Sequence, residues 1–234
     1  MNKQELSEAL VNFGLIIDEK TSDQLEQYLI YILAENMRTN LTAIKDPEEI
    51  RSKHFLDSLS LYKYAKESPD LIDVGSGAGF PGIPLAIVLP RLKVTLVEAT
   101  RKKCDFLEMA VKELKLTNVT VLNTRAEELP GSYRAELVTA RAVAELGILA
   151  ELCLPLVKRK GLFIAMKGPK YQEEIEKAKY ALEFLGGKEK EIQEYQLPGN
   201  EQRFNLVYEK VKATPAGYPR RYALIKSKPL GAEE

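Results

Sequence analysis

Three glycines at alternate positions, in the segment Gly75-Ser76-Gly77-Ala78-Gly79, are the first residues of this sequence that suggest chemistry. They follow Leu71-Ile72-Asp73-Val74, a short apolar run of the kind that forms a buried strand. A glycine-rich turn after such a strand lets backbone groups approach a bound ligand, because no Cβ stands in the way. The nicotinamide-dinucleotide fingerprint requires a glycine where this chain has Phe80. The turn therefore predicts a ligand site, and by itself it is a weak guide to the ligand.

Carboxylates follow the next two predicted strands. Glu98 ends one of them, and Glu127 comes shortly after the other. A right-handed crossover between parallel strands would bring both to the sheet edge that carries the glycine turn. There Glu98 can accept hydrogen bonds from both hydroxyls of a ribose, while Ala126 and Glu127 border an adenine. Either acid alone could equally cap or solvate the start of a helix, but together they favour an adenosyl ligand, in a spacing that resembles S-adenosylmethionine-dependent enzymes.

The residues after the fourth predicted strand, Thr139-Ala140-Arg141-Ala142-Val143, narrow the chemistry of a methyl acceptor. They lack the Asn/Asp-Pro-Pro-aromatic motif that accepts the N–H of an exocyclic amine. Cys153, a possible nucleophile for methylation at a pyrimidine carbon, lies inside a helical run, where a cysteine is more often packed. The predicted acceptor is therefore an atom that is already nucleophilic, such as N7 of guanine.

Strand-sized apolar runs alternate with helix-sized segments over the middle of the chain, which predicts a parallel sheet with helices on both faces. The predicted strands are Leu71–Val74, Lys93–Val97, Val119–Leu122, Leu137–Ala140 and Leu162–Met166. The predicted crossover helices are Gly82–Leu89, Lys102–Leu116 and Leu146–Val157. After a helix over Tyr171–Leu185, we expect Ile192–Leu197 and Arg203–Val211 to form an antiparallel hairpin at one sheet edge.

The first sixty or so residues are predicted to be helical. Apolar residues recur at three- and four-residue spacing from Leu25 to Leu33, the pattern of an amphipathic helix. Asp46-Pro47-Glu48-Glu49 has the composition of a helix start with Asp46 as its cap, and this helix is expected to run as far as Tyr62. We therefore divide the chain into an N-terminal helical extension, residues 1–66, and a methyltransferase domain, residues 67–234.

Composition and charge exclude several classes of protein. The chain has 34 basic and 34 acidic residues, and no apolar run approaches the roughly 18 residues that span a bilayer. Cys104 and Cys153, 49 positions apart, fit neither a zinc site nor a disulfide framework and are expected to be buried thiols. With no leader sequence, we expect a cytoplasmic protein without a metal or a membrane partner. Residues 203–230 are locally basic, with seven Lys and Arg against Glu209 alone, which indicates an anionic partner such as a nucleic acid.

Seven segments, taken in order, resemble the bacterial 16S ribosomal RNA guanine-N7 methyltransferase family, long called glucose-inhibited division protein B. They are Asn40–Ile44, His54–Leu59, Asp73–Pro84, Arg125–Glu128, Thr139–Ala144, Lys167-Gly168 and Tyr218–Arg221. The resemblance covers the chain from about Leu10 to Leu230. It implies a class I S-adenosylmethionine-dependent methyltransferase (Rossmann-like) α/β fold with a seven-stranded sheet. It also implies that a monomer methylates a guanine, nucleotide 527, in the 16S rRNA loop near the decoding site, within the small ribosomal subunit or an assembly intermediate, and releases S-adenosyl-L-homocysteine.

The family's functional positions carry over residue by residue. Those that contact the cofactor are matched by Gly75, Phe80, Glu98, Ala99, Thr100, Ala126, Glu127 and Arg141, to which the glycine turn adds Asp73, Gly77 and Gly79. The residues predicted to hold the base, its phosphates or the active-site loops are Asn40, His54, Arg125, Lys167 and Arg203, and those predicted to bind RNA phosphates are Arg220 and Arg221. A tryptophan that the family often has before the Asn-Leu-Thr motif is absent, and Met37-Arg38-Thr39 stands there.

No general base is expected, because guanine N7 has no proton to remove, and we expect His54, the one histidine, to have a positioning role. Two alternatives stay open. One is a methyltransferase of the same fold that acts on a small molecule or a protein. The other is a non-catalytic RNA-binding assembly factor, which would have a broken cofactor pocket, whereas the glycines of the turn and Glu98 are all present.

Overall fold

A seven-stranded sheet forms the centre of the computed structural model, which describes residues 1–231. The strands are β1 (Asp70–Val74), β2 (Lys93–Glu98), β3 (Val119–Asn123), β4 (Ala135–Arg141), β5 (Val157–Lys167), β6 (Gly187–Leu197) and β7 (Glu201–Lys210). Their order in space is β3-β2-β1-β4-β5-β7-β6. Strands β1 to β5 run parallel, whereas β7 is antiparallel to both β5 and β6. The predicted parallel α/β sheet with an antiparallel hairpin at one edge is therefore confirmed.

Helices cover both faces of the sheet. Before β1 lie α1 (Lys3–Leu10), α2 (Glu19–Thr39), α3 (Pro47–Ile50), α4 (Asp57–Leu59) and α5 (Tyr62–Ala65). After β1 come α6 (Gly82–Val88), α7 (Arg101–Glu113), α8 (Leu146–Cys153), α9 (Tyr171–Leu185) and α10 (Tyr222–Ser227). Short 3₁₀ turns occupy Val11–Phe13, Ala126–Glu128 and Leu154–Leu156. None of the helices between residues 1 and 231 is long and apolar enough to cross a membrane.

Two buried clusters hold these helices to the sheet. One contains the helices before β1 together with α6 and α7, and the other contains α8, α9 and Ile225 of α10. The inner strands β1 and β4 are almost wholly buried, because a parallel sheet between two helical layers has no face in contact with water. The helical extension before residue 66 thus shares a single core with the sheet.

Two strands begin five residues earlier than predicted. β5 starts at Val157, five residues before the predicted start, and β6 starts at Gly187. The residues that the prediction left out are mainly charged, so they lack the apolar pattern by which a strand is recognised. In β6 the charges are tolerated because this strand is the exposed edge of the sheet. Pro155, which has no N–H, follows the end of α8, so this helix is shorter than predicted. The predicted hairpin turn is confirmed, with Gly199 and its successor both at positive φ.

The helix that begins after Asp46 differs from the predicted one in its centre. Asp46 caps it as expected. Residues Arg51–Leu56, however, form a π-helix, and the helix ends at Leu59. A π-helical turn contains an extra residue, so it changes the direction of the side chains that follow, and such turns are frequent at functional sites. Here the turn presents His54 and Asp57 to the carboxyl edge of the sheet.

Candidate functional site

Two neighbouring cavities open at the carboxyl edge of β1, β2 and β4. The larger has a volume of about 720 Å³ and lies between the glycine turn and the helical extension. The smaller has a volume of about 290 Å³ and lies between the segments that follow β2, β3 and β4. Gly75, Lys103 and Ala142 line both, so the cavities adjoin. Open α/β sheets bind ligands at this place, where the strand order reverses between β1 and β4.

The glycine turn borders the larger cavity with backbone atoms. Gly75, Gly77 and Gly79 have φ angles of 70°, 59° and 86°, which glycine adopts without strain. A Cβ at Gly77 would meet no protein atom closer than 3.9 Å, whereas one at Gly75 or Gly79 would lie 2.6 Å from the side chain of Val143 or Ile83. Gly77 is therefore the position at which the missing side chain leaves room for a ligand, while packing requires the other two glycines.

Asp73 at the end of β1 ties the glycine turn to the following helix. Its Oδ2 accepts a hydrogen bond from the N–H of Gly82 at 2.9 Å. The side chain is fully buried, and within residues 1–231 its Oδ1 has no hydrogen-bond partner. Burial raises the pKa of Asp73 to about 7, although the Gly82 N–H and Arg141 act in the opposite direction. Such a carboxyl group gains stabilisation from a cationic ligand nearby.

Glu98 at the end of β2 lines the smaller cavity. Its Oε2 accepts a hydrogen bond from the N–H of Gly77 at 3.0 Å, and its Oε1 accepts one from the N–H of Thr100 at 2.8 Å. The carboxylate therefore links the glycine turn to the start of α7, beside Ala99, which also lines the cavity. Each oxygen retains a second lone pair, so the group can still accept two hydroxyl hydrogen bonds.

The segment after β3 forms another wall of the smaller cavity. Ala126 and Glu127 line it, as the adenine position requires. The Nε of Arg125 donates to Oε1 of Glu127 at 2.6 Å, and its guanidinium lies 4.4 Å from the ring centroid of Tyr222. The sequence predicted Arg125 to be an RNA-binding residue, whereas in the structure it lines the smaller cavity.

In the larger cavity, Arg141 is held by the π-helical segment and the start of α4. Its Nη1 donates to Oδ2 of Asp57 at 2.9 Å and to the carbonyl of Lys53 at 3.1 Å, and its Nη2 lies 3.1 Å from Nδ1 of His54. The guanidinium lies 5.0 Å from the ring centroid of Phe80, on which the His54 ring stacks at 4.6 Å. The sequence predicted Arg141 to be a cofactor-binding residue, whereas in the structure it lines the larger cavity beside Phe80 and His54.

His54 is neutral in this arrangement. Nε2 of His54 lies 2.9 Å from Oγ1 of Thr42. Nδ1 lies 3.1 Å from Nη2 of Arg141, which can only donate, and 3.1 Å from the carbonyl of Lys53, which can only accept, so these two partners favour opposite tautomers of the neutral ring. Burial, together with the charge of Arg141, lowers the pKa of His54 to about 3. A ring with both nitrogens engaged and so low a pKa does not take up a substrate proton near neutral pH.

Most of the other charged groups in the larger cavity form ion pairs. Nζ of Lys167 lies 2.6 Å from Oε2 of Glu174. Arg203 pairs with Glu201 at 2.7 Å and lies 3.7 Å from Asp57, which also accepts a hydrogen bond from the hydroxyl of Tyr195 at 2.8 Å. Among the described residues that line this cavity are five basic side chains and two carboxylates. The excess of positive charge suits an anionic ligand.

Three predicted RNA-binding residues lie outside both cavities. Asn40 is the C-terminal cap of α2, with φ 50°, and the two residues after it line the larger cavity. Arg220 is bound by Glu151 of α8: its Nε donates to Oε1 at 2.7 Å and its Nη2 to Oε2 at 2.6 Å. The Glu151 side chain is 1% exposed, so the structure gives Arg220 a partner inside the protein in place of the predicted phosphate. Arg221 is exposed.

Sequence reasoning missed several side chains that the structure places at the site, among them Asp57, Lys103 and Tyr222. Asp57 stands inside the motif that contains His54, and an acid among apolar residues was an available signal. Lys103 follows Glu98 within the first turns of α7, where its spacing could have been noticed. Tyr222 gave no local signal, because only the return of the chain end across the segment after β3 brings it to the smaller cavity.

Comparison with known proteins gives consistent matches over most of the chain. The family model described as rRNA small subunit methyltransferase G (GidB) matches residues 21–204. A protein named Ribosomal RNA small subunit methyltransferase G from Carboxydothermus hydrogenoformans is 42% identical, over 97% of this chain and 99% of the relative. Its namesake from Bacillus cereus is 44% identical, over 94% of this chain and 95% of the relative.

Several solved structures have a similar fold and low sequence identity to this chain. A SAM-dependent methyltransferase from Aquifex aeolicus has a TM-score of 0.55 and 18% identity, over 74% of this chain and 98% of the other. TYW2 from M. jannaschii, solved in complex with AdoMet, has a TM-score of 0.54 and 20% identity, over 66% of this chain and 77% of the other. At such identities the likeness shows the fold, which is the class I Rossmann-like fold expected from the sequence. The family match, the full-length relatives and this fold agree that the chain belongs to the rRNA small subunit methyltransferase G family.

Proposed function

We propose that this protein transfers a methyl group from S-adenosylmethionine to N7 of a guanine in 16S rRNA, at nucleotide 527 in the loop near the decoding site. The family supports the substrate class, which is the RNA of the small ribosomal subunit. One observation carries the choice of N7. Every carboxylate and imidazole among the described residues of the larger cavity is already engaged by a donor.

The smaller cavity and the glycine turn fit S-adenosylmethionine. Glu98 would accept the ribose hydroxyls, and the segment after β3 would border the adenine. The backbone at Gly77 would lie against the methionine part, because a Cβ there finds open space rather than protein. Buried Asp73, with its raised pKa, gains stabilisation from the cofactor's positive charge. When bound, the cofactor supplies a methyl group on a positively charged sulfur.

The larger cavity indicates an acceptor atom that needs no deprotonation. Asp57 accepts a hydrogen bond from Arg141 and Glu174 accepts one from Lys167, while both ring nitrogens of His54 already have hydrogen-bond partners. Methylation of an exocyclic amine would require a group that accepts its N–H proton, and these acceptors are occupied. Guanine N7 offers a free lone pair, so it fits the arrangement.

The cysteines do not favour methylation at carbon. Cys104 and Cys153 are both buried, as predicted, and Sγ of Cys104 donates to the carbonyl of Glu98 at 3.1 Å. Burial raises the pKa of both thiols. Because the thiolate is the nucleophile, a buried thiol with a raised pKa is unreactive.

Catalysis is then mainly a matter of position. The protein must hold N7 in line with the methyl group, and such orientation can contribute about 7–11 kcal/mol to lowering a barrier. The flat guanidinium and imidazole against Phe80 make a rigid wall for a base, and the basic lining attracts the phosphates on either side of it. We propose that the enzyme acts as a cytoplasmic monomer on rRNA in the small subunit or an assembly intermediate.

Tritiated methyl transfer would test this proposal. Purified parent protein and Gly77→Val would be incubated with 16S rRNA, small subunits and short oligonucleotides from cells that lack the gene, and the label mapped by cleavage at 7-methylguanine. We expect label at one guanine, from the parent alone. Label on an exocyclic amine, on a protein or on small molecules would overturn the N7 assignment, and RNA binding without any cofactor binding would indicate the assembly factor.

A further inference from the structure

We propose that Tyr222 is a binding residue for the adenosine half of the cofactor, and that residues 217–227 form a strap that closes the smaller cavity. The inference rests on the proposed function, because it takes S-adenosylmethionine as the occupant of this cavity. Three features carry it: the position of the Tyr222 ring, its contact with Arg125, and the anchors on either side of it.

The ring of Tyr222 belongs to the wall next to the predicted adenine position. It lines the smaller cavity together with Ala126 and Glu127. Arg125 lies over the ring at 4.4 Å from its centroid and is held in place by Glu127 at 2.6 Å. Aromatic rings bind flat bases by stacking, and a guanidinium on the ring fixes its orientation. The wall thus presents a planar surface whose chemistry matches a purine.

Two anchors hold this part of the chain against the sheet domain. Two positions before Tyr222, Arg220 makes three hydrogen bonds to the carboxylate of Glu151: from its backbone N–H at 3.0 Å, from Nε at 2.7 Å and from Nη2 at 2.6 Å. Three positions after it, Ile225 is completely buried in the cluster of α8 and α9. A bidentate ion pair and a buried apolar side chain therefore position the ring from both sides.

Binding of S-adenosylhomocysteine, measured by calorimetry on the full chain, would test the role of the ring. Tyr222→Ala and Tyr222→Leu should both weaken binding at least about fivefold, the lower end of base–aromatic stacking. Tyr222→Phe should bind like the parent. Tyr133→Leu is the matched control, because Tyr133 is an exposed tyrosine outside the strap that lines neither cavity; its affinity should not change. The leucine variant keeps apolar packing, so it decides the matter where the alanine variant does not fold.

A second ligand locates the contact. 5′-Methylthioadenosine lacks the amino-acid part, so its affinity should fall by the same factor as that of S-adenosylhomocysteine in Tyr222→Leu. A loss confined to S-adenosylhomocysteine, an equal loss in Tyr133→Leu, or unchanged affinity in Tyr222→Leu would each overturn the inference and leave the proposed function standing. A parent protein that binds neither ligand would overturn the proposed function itself.

Discussion

Arg141 donates a hydrogen bond to Asp57 through Nη1, and its Nη2 lies 3.1 Å from Nδ1 of His54. Asp57 also accepts a hydrogen bond from the hydroxyl of Tyr195 at 2.8 Å. His54 stays neutral because burial and the charge of Arg141 lower its pKa to about 3. At the scale of residues, we therefore expect no proton exchange between His54 and the substrate near neutral pH. A reaction at an unprotonated ring nitrogen requires none.

The rate of methyl transfer should accordingly show no change with pH around the pKa of a histidine. With saturating substrates, we expect the single-turnover rate to be nearly flat from about pH 6 to 8.5. His54→Gln, whose amide can replace both hydrogen bonds, should lower the rate through positioning, with a pH profile parallel to that of the parent. If the rate of the parent fell at low pH and that of His54→Gln did not, His54 would be a base and this mechanism would be contradicted.

The same residue should make stability depend on pH. The folded-state pKa of His54 is lowered to about 3 by burial and by Arg141, so below the unfolded pKa, about 6.5, the unfolded chain binds a proton that the folded chain does not. Stability is thus lost as pH falls through this range. Relative to His54→Gln, the parent should lose about 2 kcal/mol between pH 7.5 and pH 5. Urea titrations of both proteins would measure this, and a pH-independent difference would show that His54 titrates normally when folded.

Glu98→Gln should weaken cofactor binding by about 1–3 kcal/mol. The carboxylate accepts backbone hydrogen bonds through both oxygens, whereas an amide has one acceptor oxygen and would place its NH₂ against an N–H of Gly77 or Thr100. Calorimetry with S-adenosylhomocysteine measures the effect, with Glu108→Gln, an exposed residue of α7, as the control. Unchanged affinity in Glu98→Gln would restrict Glu98 to supporting the turn.

At the scale of elements, two short segments decide the site: the π-helical turn, which presents His54, and the glycine turn after β1. Gly77→Val should abolish cofactor binding, since its side chain would occupy the open space beside the cavity. Gly14→Val is a matched control, because Gly14 also has positive φ, 72°, and open space around it, but lies far along the chain in the helical extension. Both variants should lose stability from backbone strain, and only Gly77→Val should lose the ligand. Equal binding by the two, measured at a temperature where both are folded, would refute the assignment of Gly77.

At the scale of the whole molecule, the two adjacent arginines of the basic C-terminal segment have different surroundings. Arg221 is exposed, whereas Arg220 neutralises buried Glu151. Arg221→Gln should therefore reduce the slope of log RNA affinity against log salt by about 0.7, the value for one phosphate contact on a single strand. Arg220→Gln should leave the slope unchanged and lower the stability by about 3–5 kcal/mol, because it leaves a buried carboxylate unpaired. Salt titrations of both variants decide this; equal slope changes would mean that Arg220 leaves Glu151 to bind RNA.

The sequence by itself determined the order of strands and helices along the chain, the glycine turn and the acid that ends β2. These features depend on local periodicity and on the chemistry of single residues. It failed where charged residues formed the start of β5 and of β6, since a strand's apolar signal is absent there. Only the tertiary structure decided which groups pair. Asp57 meets Tyr195 across 138 positions and Arg220 meets Glu151 across 69. Pairs of side chains this far apart in sequence depend on how the layers pack, and no local pattern encodes them.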